Sequence, residues 1–137
     1  MNKEFVHYEA AAALKELGFG EPCFGYYDTD GLQVRTHYWY PKNKNSSFPP
    51  SHTTNNPKIS APTFSQAFRW FRDKKLSDGS VCRHGKADGS YSYRWDILFE
   101  YRVYEERHFK MDYDTYEEAE VACLNKLIEL TTNRLRN

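Results

Sequence analysis

Residues 91–103 read YSYRWDILFEYRV, and this stretch decides the fold of the chain. Aromatic or aliphatic residues occupy every second position, with polar residues between them and Leu98 as the exception. This period of two predicts a β-strand with one face on a core and the other in water. We expect Trp95 and Phe99 to be buried. The residues expected to face water are Arg94, Asp96 and Glu100. Because the run is longer than a usual strand, it should bend or break near residues 98–101.

A long helix is predicted near the end of the chain, and it opens with a capping box. Thr115 and Glu118 have the spacing at which these two residue types satisfy each other's free backbone N–H groups. The helix should run to about residue 130, and its apolar sector is wide. Beside one apolar stripe lies a second edge that includes Leu124 and Ile128. A sheet covers about one stripe, so this edge must meet the first helix of the chain or a second copy. Of the two, we favour a homodimer.

The first part of the chain predicts a helix followed by a hairpin. Apolar residues at helical spacing indicate a helix over residues 7–17, and Gly18 suits the left-handed position after its end. Residues 24–28 and 32–40 are predicted to be strands joined by a tight turn at Asp30-Gly31.

Between this hairpin and the long strand lie a loop and a second helix. Residues 41–59 are rich in proline and asparagine, so we expect a flexible loop there, with limited proteolysis cutting it first. Ser60 is predicted to cap the next helix, with Pro62 in its first turn. The apolar stripe of this helix faces a core, and Trp70 lies on the border of that stripe.

The predicted element order is therefore α-β-β-α-β-β(-β)-α. Hairpins before and after a central helix favour an α+β fold with one antiparallel sheet of four to five strands and helices packed on one face. A length of 137 residues favours a single domain over residues 1–137, apart from the loop at 41–59.

Three motifs carry a resemblance to a known family. They read LKELGFGEPCFGYY at residues 14–27, SAPTFSQAFRWFR at 60–72 and YEEAEVA at 116–122. With them the chain resembles a family of small uncharacterised phage and mobile-element proteins of Bacteroidales-type bacteria. The resemblance implies an accessory role on such an element and no catalytic residue. The 41–59 segment departs from the family pattern, because it is longer than that pattern implies.

Charge and cysteine content narrow the classes of partner. The chain has 19 basic and 19 acidic residues, so its net charge points neither to nucleic acid nor to an acidic membrane. Three widely spaced cysteines favour free thiols in a reducing cytoplasm over a disulfide framework. The short apolar run at residues 10–14 cannot span a bilayer. We therefore expect a cytoplasmic protein with no membrane association.

Sites for metals, cofactors and catalysis are not predicted. Cys82 and His84 are the nearest approach to a zinc motif, and they lack the spacing of paired ligands. Serine and histidine residues form no recognisable catalytic arrangement, and no glycine-rich phosphate loop joins a strand to a helix. We therefore expect neither enzyme activity nor a bound cofactor.

Nucleic-acid binding is the alternative function. The second half of the chain predicts the element order of a double-stranded-RNA-binding domain. Its last helix, however, begins with acidic residues where that family has lysines, and these would repel phosphates. Tyr91, Tyr93 and Trp95 could stack on single-stranded bases, although a buried sheet face explains their spacing as well.

A role in protein interaction remains, with an unidentified protein as partner. Aromatic residues are enriched at interface hot spots. The candidate surface residues are Trp39, Phe48, Trp70, Leu124 and Ile128. The sequence therefore favours a non-catalytic accessory or protein-interaction protein.

Overall fold

A computed structural model describes residues 2–34, 58–100 and 105–136. The contacts of the chain group into two compact units, Met1–Ser65 and Gln66–Asn137. Several predictions lie outside the described residues, namely those for residues 35–40, for 41–57 of the loop, for Trp39 and Phe48, and for the end of the 91–103 run.

The first unit contains a short 3-10 helix over Asn2–Glu4, one α-helix and three strands. In chain order these are α1 (Tyr8–Glu16), β1 (Gly25–Asp28), β2 (Gly31–Val34) and β3 (Ile59–Ala61). The strands form an antiparallel sheet in the order β2-β1-β3. The predicted hairpin is confirmed over its described part. The Asp28 carboxylate supports its turn by accepting a hydrogen bond of 2.8 Å from the backbone N–H of Asp30.

The end of α1 is built as predicted. Gly18 has a φ of 97°, a conformation that glycine adopts without a Cβ penalty. The N–H of Gly18 donates to the carbonyl of Lys15, and the N–H of Phe19 donates to the carbonyl of Leu14. Phe19 is buried next to this double hydrogen bond. The arrangement is a Schellman motif, and it fixes the direction in which the chain leaves the helix.

The prediction that Ser60 caps a helix is wrong. Ser60 lies in β3, fully buried, and pairs with Tyr26 of β1, while the next helix begins only at Phe64. A Ser-x-Pro pattern suits a helix start, but it also suits the end of an edge strand, where proline's missing N–H is tolerated. Here Ser60 pairs with the distant strand β1, and this pairing makes the segment a strand and not the start of a helix.

The second unit contains most of α2 (Phe64–Lys74) and all of the elements that follow. These are β4 (Ser77–Gly85), β5 (Tyr91–Glu100), β6 (Glu105–Tyr113) and α3 (Tyr116–Arg136). The strands form an antiparallel sheet in the order β4-β5-β6. The α+β class is confirmed. The finer prediction of one sheet with four to five strands is wrong, because the described residues form two three-stranded sheets.

β4 lies in a stretch whose sequence shows no clear strand pattern. Its nine residues begin at Ser77 and pair along the whole of β5 up to Gly85. Serine, aspartate and glycine are poor strand formers, so the first half of β4 has no strand pattern in its sequence. The described part of the 91–103 run forms β5, which extends to Glu100.

α3 covers one face of the second sheet and lies mainly over β4 and β5. The closest approach is at Gly79, where an added Cβ would lie 2.8 Å from Leu127 Cδ1 and 3.1 Å from Cys123 Sγ. Trp95, Ile97 and Phe99 are buried on this face, as the alternation predicted. One half of the predicted capping box is confirmed, since Thr115 Oγ1 accepts a hydrogen bond of 3.1 Å from the N–H of Glu118.

The alternation fails at the start of β5. Tyr91 is 59% exposed, whereas Ser92 on the opposite face is buried. Arg94 and Asp96 are only half-exposed, because they form a salt bridge with 3.0 Å between Nε and Oδ2, and Glu100 is exposed. Arg83 stacks on the exposed Tyr91 ring at 4.3 Å from the ring centroid. The apolar pattern was therefore informative in the centre of the strand and not at its end.

Near its C-terminal end, α3 is tied to the start of the unit by Arg134. The guanidinium donates a hydrogen bond of 2.6 Å to the carbonyl of Lys75, just after α2. It also lies over the Phe99 ring, 4.9 Å from the ring centroid. Among the described residues, no helix is both long enough and apolar enough to cross a membrane.

Candidate functional site

A groove lies between α3 and β6, and we call it the α3–β6 groove. It exists because α3 packs on β4 and β5 and contacts β6 at only a few points. Its volume is about 560 Å³. The floor consists of Trp95, His108, Lys110 and Tyr113, and Phe109 borders it on β6. The wall consists of the α3 residues Ala122, Asn125, Lys126 and Glu129.

A β-bulge shapes the floor. Lys110 pairs with Trp95, and Tyr113 pairs with Tyr93. Between these two pairs the chain advances three residues along β6 but only two along β5. Asp112 lies inside this bulge with a φ of 71°. One extra residue moves all later side chains to the other face of a strand. Tyr113 therefore returns to the face that α3 covers.

The polar groups of the groove are paired with one another. Trp95 Nε1 donates a hydrogen bond of 3.0 Å to the Tyr113 hydroxyl. His108 Nε2 lies 2.7 Å from Glu106 Oε1, just beside the floor. Along the wall, Lys126 Nζ lies 3.2 Å from Glu129 Oε1.

β6 borders the groove and forms the edge of the sheet. Among the described residues its only partner strand is β5, and its other side is unpaired within this part of the chain. Phe109 projects from this strand with 66% of its surface exposed. The register places Phe109 opposite Asp96, on the face away from α3, whereas Glu106, His108 and Lys110 share the α3 face. An open edge with an exposed ring is typical of an association site.

Of the five residues predicted as an interaction surface, the three that the structure describes lie outside the groove. Trp70 was predicted at the border of its apolar stripe and as a surface residue, but it is buried, with 5% of its surface exposed. Leu124 is buried at 1% within a single chain, and Ile128 is half-buried. Coverage of Leu124 therefore does not require a second copy. Trp39 and Phe48 lie outside the described residues, and Trp70, Leu124 and Ile128 do not line the α3–β6 groove.

Little in the sequence indicates the groove. Phe109, Met111 and Tyr113 do alternate, but a period of two would place them on one face of β6. The bulge at Asp112 separates Phe109 from Tyr113, so this signal would have been misleading. The feature that could have drawn attention to β6 was its mixture of acidic and basic residues, a common device for edge strands.

The thiols and potential metal ligands of the chain form no comparable site. Burial, together with the charges of Asp96 and Glu120, raises the pKa of the Cys123 thiol to about 12, so it is inert at neutral pH. Cys82 is exposed on β4, and Cys23 is buried. Within the described parts of the chain, no three His, Cys, Asp or Glu side chains group closely enough to hold a metal ion.

Comparison with known proteins identifies no relative. No protein-family model matches the chain, and searches of curated proteins and of solved structures give no match either. A functional proposal for this chain therefore depends on its own geometry and on the motifs in its sequence.

Proposed function

We propose that this chain is a non-catalytic protein-interaction protein that binds its partner at the α3–β6 groove and the adjoining β6 edge. The observation that carries the proposal is the combination of an open strand edge, an exposed Phe109 and a groove of about 560 Å³. A partner segment in extended conformation can add to such an edge through backbone hydrogen bonds, while side chains enter the adjoining groove.

The polar pairs at the groove suit a protein partner. His108 hydrogen-bonds Glu106 beside the groove, and Lys126 forms an ion pair with Glu129 along its wall. Lys110 is 5.8 Å from the centroid of the Tyr113 ring. Such paired charges give orientation and selectivity to a protein partner at the rim of an interface.

The biological setting is proposed from the sequence motifs. The segments at residues 14–27, 60–72 and 116–122 resemble those of phage and mobile-element proteins. We therefore place the protein in the cytoplasm of a bacterial host, as an accessory protein encoded by such an element. In this setting its partner is another protein of the element or of the host.

A matched pair of variants tests the groove. Asn125 and Asn133 are both exposed residues of α3, but only Asn125 lines the groove. Asn125→Arg places a long cationic side chain in the groove, and Asn133→Arg makes the same change outside it. Tagged wild-type protein and both variants are used to capture partners from lysate, followed by quantitative mass spectrometry and binding assays with the purified partner.

The proposal expects a partner that binds wild type and Asn133→Arg equally and binds Asn125→Arg at least tenfold more weakly, about 1.4 kcal/mol. Equal binding of this partner by both variants would remove the groove as the site. Circular dichroism and thermal unfolding of both variants establish that the comparison is made between folded proteins.

The element order of the second unit also favours an alternative, nucleic-acid binding. The order α2-β4-β5-β6-α3 is that of a double-stranded-RNA-binding domain. Glu117 and Glu118 are exposed at the start of α3, however, and would repel phosphates there. Trp95 is buried, which leaves Tyr91 as the exposed ring of the proposed stacking set. Fluorescence anisotropy with double-stranded and single-stranded RNA tests this alternative, for which we expect no salt-sensitive binding.

A further inference from the structure

The charges along the β6 edge are complementary to those of an antiparallel copy of the same strand. The usable edge is Glu105 to Lys110, because the bulge at Asp112 interrupts regular pairing beyond it. Within it, acidic residues come first and basic residues follow. An antiparallel copy reverses this order, so acidic residues of one strand come to lie opposite basic residues of the other.

Symmetry limits the registers that such a pair can adopt. Two identical strands pair edge to edge in antiparallel fashion about a two-fold axis perpendicular to the sheet. This axis keeps each side chain on its own face of the sheet. Residues directly opposite each other must therefore share a face, and the axis must pass through one residue and its own copy. The candidate central residues are Glu106, Arg107, His108 and Phe109.

Charge distinguishes these four registers. An axis at Glu106 or Arg107 places two like charges directly against each other, which destabilises a strand pair. An axis at Phe109 places His108 opposite the partner's Lys110 and Arg107 opposite the partner's Met111, so it creates no opposite-charge pair. An axis at His108 places Glu106 opposite the partner's Lys110, twice by symmetry. It also places Arg107 opposite the partner's exposed Phe109, a favourable pairing of cation and ring.

We propose that two copies of this chain associate through their β6 edges, antiparallel and in register about His108, to form one continuous six-stranded sheet. The proposal rests on the proposed function and refines it, because it assigns a second copy of the chain to the β6 edge and leaves the α3–β6 groove to the other protein partner. The Glu106–Lys110 pairs lie on the face that carries α3, and the Arg107–Phe109 pairs lie on the other face.

The position of α3 leaves room for this arrangement. α3 lies over β4 and β5, and neighbouring strands are about 4.8 Å apart. The axis of α3 is therefore about 10 Å from the two-fold axis, and the two helices are about 20 Å apart, twice the diameter of a helix with its side chains. The copies of α3 do not collide, and the α3–β6 groove of each copy stays open.

Single cysteines identify the register. In a Cys82→Ser background, which removes the exposed native thiol, cysteine is placed at position 106, 107, 108 or 109 of the full chain. Only His108→Cys would face its own copy directly, with Cβ atoms about 5 Å apart, whereas Arg107→Cys and Phe109→Cys would be about 7 Å or more from theirs. Mild oxidation should give a disulfide-linked dimer with His108→Cys several-fold faster than with the others. Fastest linkage at another position, or none anywhere, overturns the register.

Charge exchange provides the second test. Analytical ultracentrifugation of wild type should give a dimer, and Glu106→Lys or Lys110→Glu alone should raise the dissociation constant roughly tenfold. The double exchange E106K/K110E should restore association, because both cross-strand pairs are attractive again. A monomeric wild type, or a double variant no better than the single ones, overturns the proposal. Partner capture that still depends on Asn125 would show that the proposed function holds without self-association.

Discussion

The indole N–H of Trp95 donates a hydrogen bond to the hydroxyl of Tyr113, at 3.0 Å, across the boundary between β5 and the bulged end of β6. The bulge is what brings the two side chains to the same face. The floor of the α3–β6 groove is therefore held in place by a hydrogen bond between two of its own aromatic residues.

This hydrogen bond should contribute to stability. Tyr113→Phe leaves the N–H of Trp95, a residue only 5% exposed, without its acceptor, so the variant should lose about 1 to 2 kcal/mol of unfolding free energy. Tyr91→Phe removes a hydroxyl from an exposed ring and serves as the control, with little change expected. Urea denaturation followed by circular dichroism measures both. Trp95→Ala, which also leaves a cavity, should cost on the order of 3 kcal/mol or more. Equal stability of Tyr113→Phe and the control would count against a structural role.

Because α3 approaches β4 closely at Gly79, alanine substitutions at the β4 glycines Gly79 and Gly85 should differ in their effect on stability. Gly79→Ala places a methyl group 2.8 Å from Leu127 Cδ1, in a fully buried region, and should destabilise the protein by about 1 to 3 kcal/mol. A Cβ at Gly85 would meet no atom of the described residues within 4 Å. Gly85→Ala should therefore be close to neutral in the same thermal-unfolding assay. A neutral Gly79→Ala would mean that α3 can shift away from the sheet.

Two adjacent threonines of α3 should respond in opposite directions to the same substitution. Thr131 is fully buried, and its hydroxyl has no hydrogen-bond partner among the described residues. Thr132 donates a hydrogen bond of 2.7 Å to the carbonyl of Ile128. Thr131→Val should raise the unfolding free energy by about 1 kcal/mol, because it removes an unsatisfied polar group without changing the side-chain shape. Thr132→Val should be neutral or destabilising, and chemical denaturation would reveal a reversed order as a contradiction.

Stability should fall as the pH rises above about 9, because of Cys123. Burial raises the pKa of this thiol from 9.0 to about 12 in the folded chain. Between these values the unfolded chain loses the proton and the folded chain keeps it, so unfolding is favoured by up to about 1.4 kcal/mol per pH unit. The pKa values of Tyr27 and Tyr116 are also raised, from 10.0, so these tyrosines contribute to the pH dependence mainly above pH 10. The contribution of Cys123 is therefore measured between pH 8 and 10.

Denaturation of wild type and Cys123→Ala at pH 8, 9 and 10 measures this contribution. The variant lacks the thiol, so its stability should change less over the same interval. Cys82→Ala, which removes an exposed thiol, should keep the pH dependence of the wild type. Identical pH dependence in all three proteins would exclude Cys123 as the source.

The parts of the fold that sequence predicted correctly depend on local chemistry. Gly18 ends α1 because its position requires a positive φ, and Thr115 opens α3 because its hydroxyl satisfies a free N–H. The buried centre of β5 follows from alternation over residues 95–99. Each of these signals lies within a few residues of the structure that it determines.

The parts that were missed depend on contacts between distant segments. Ile59–Ala61 is a strand because it pairs with β1, and Ser77–Ser80 is the start of one because β5 and α3 pack against it. Division into two sheets is likewise a matter of which strands pair. The α3–β6 groove depends on the lateral position of α3 and on one extra residue in β6, and neither leaves a periodic pattern in the chain.

The hydrogen bond from Arg134 to the carbonyl of Lys75 joins residues 59 apart in sequence, so it also bears on the kinetics of folding. A contact of this separation closes a long loop, and it can form only after the strands between its ends have paired. Arg134 should therefore act after the rate-limiting step. Its replacement would speed the unfolding of the second unit and leave the rate of folding nearly unchanged. The same guanidinium that closes the unit in space thus serves mainly to prolong the lifetime of the folded state.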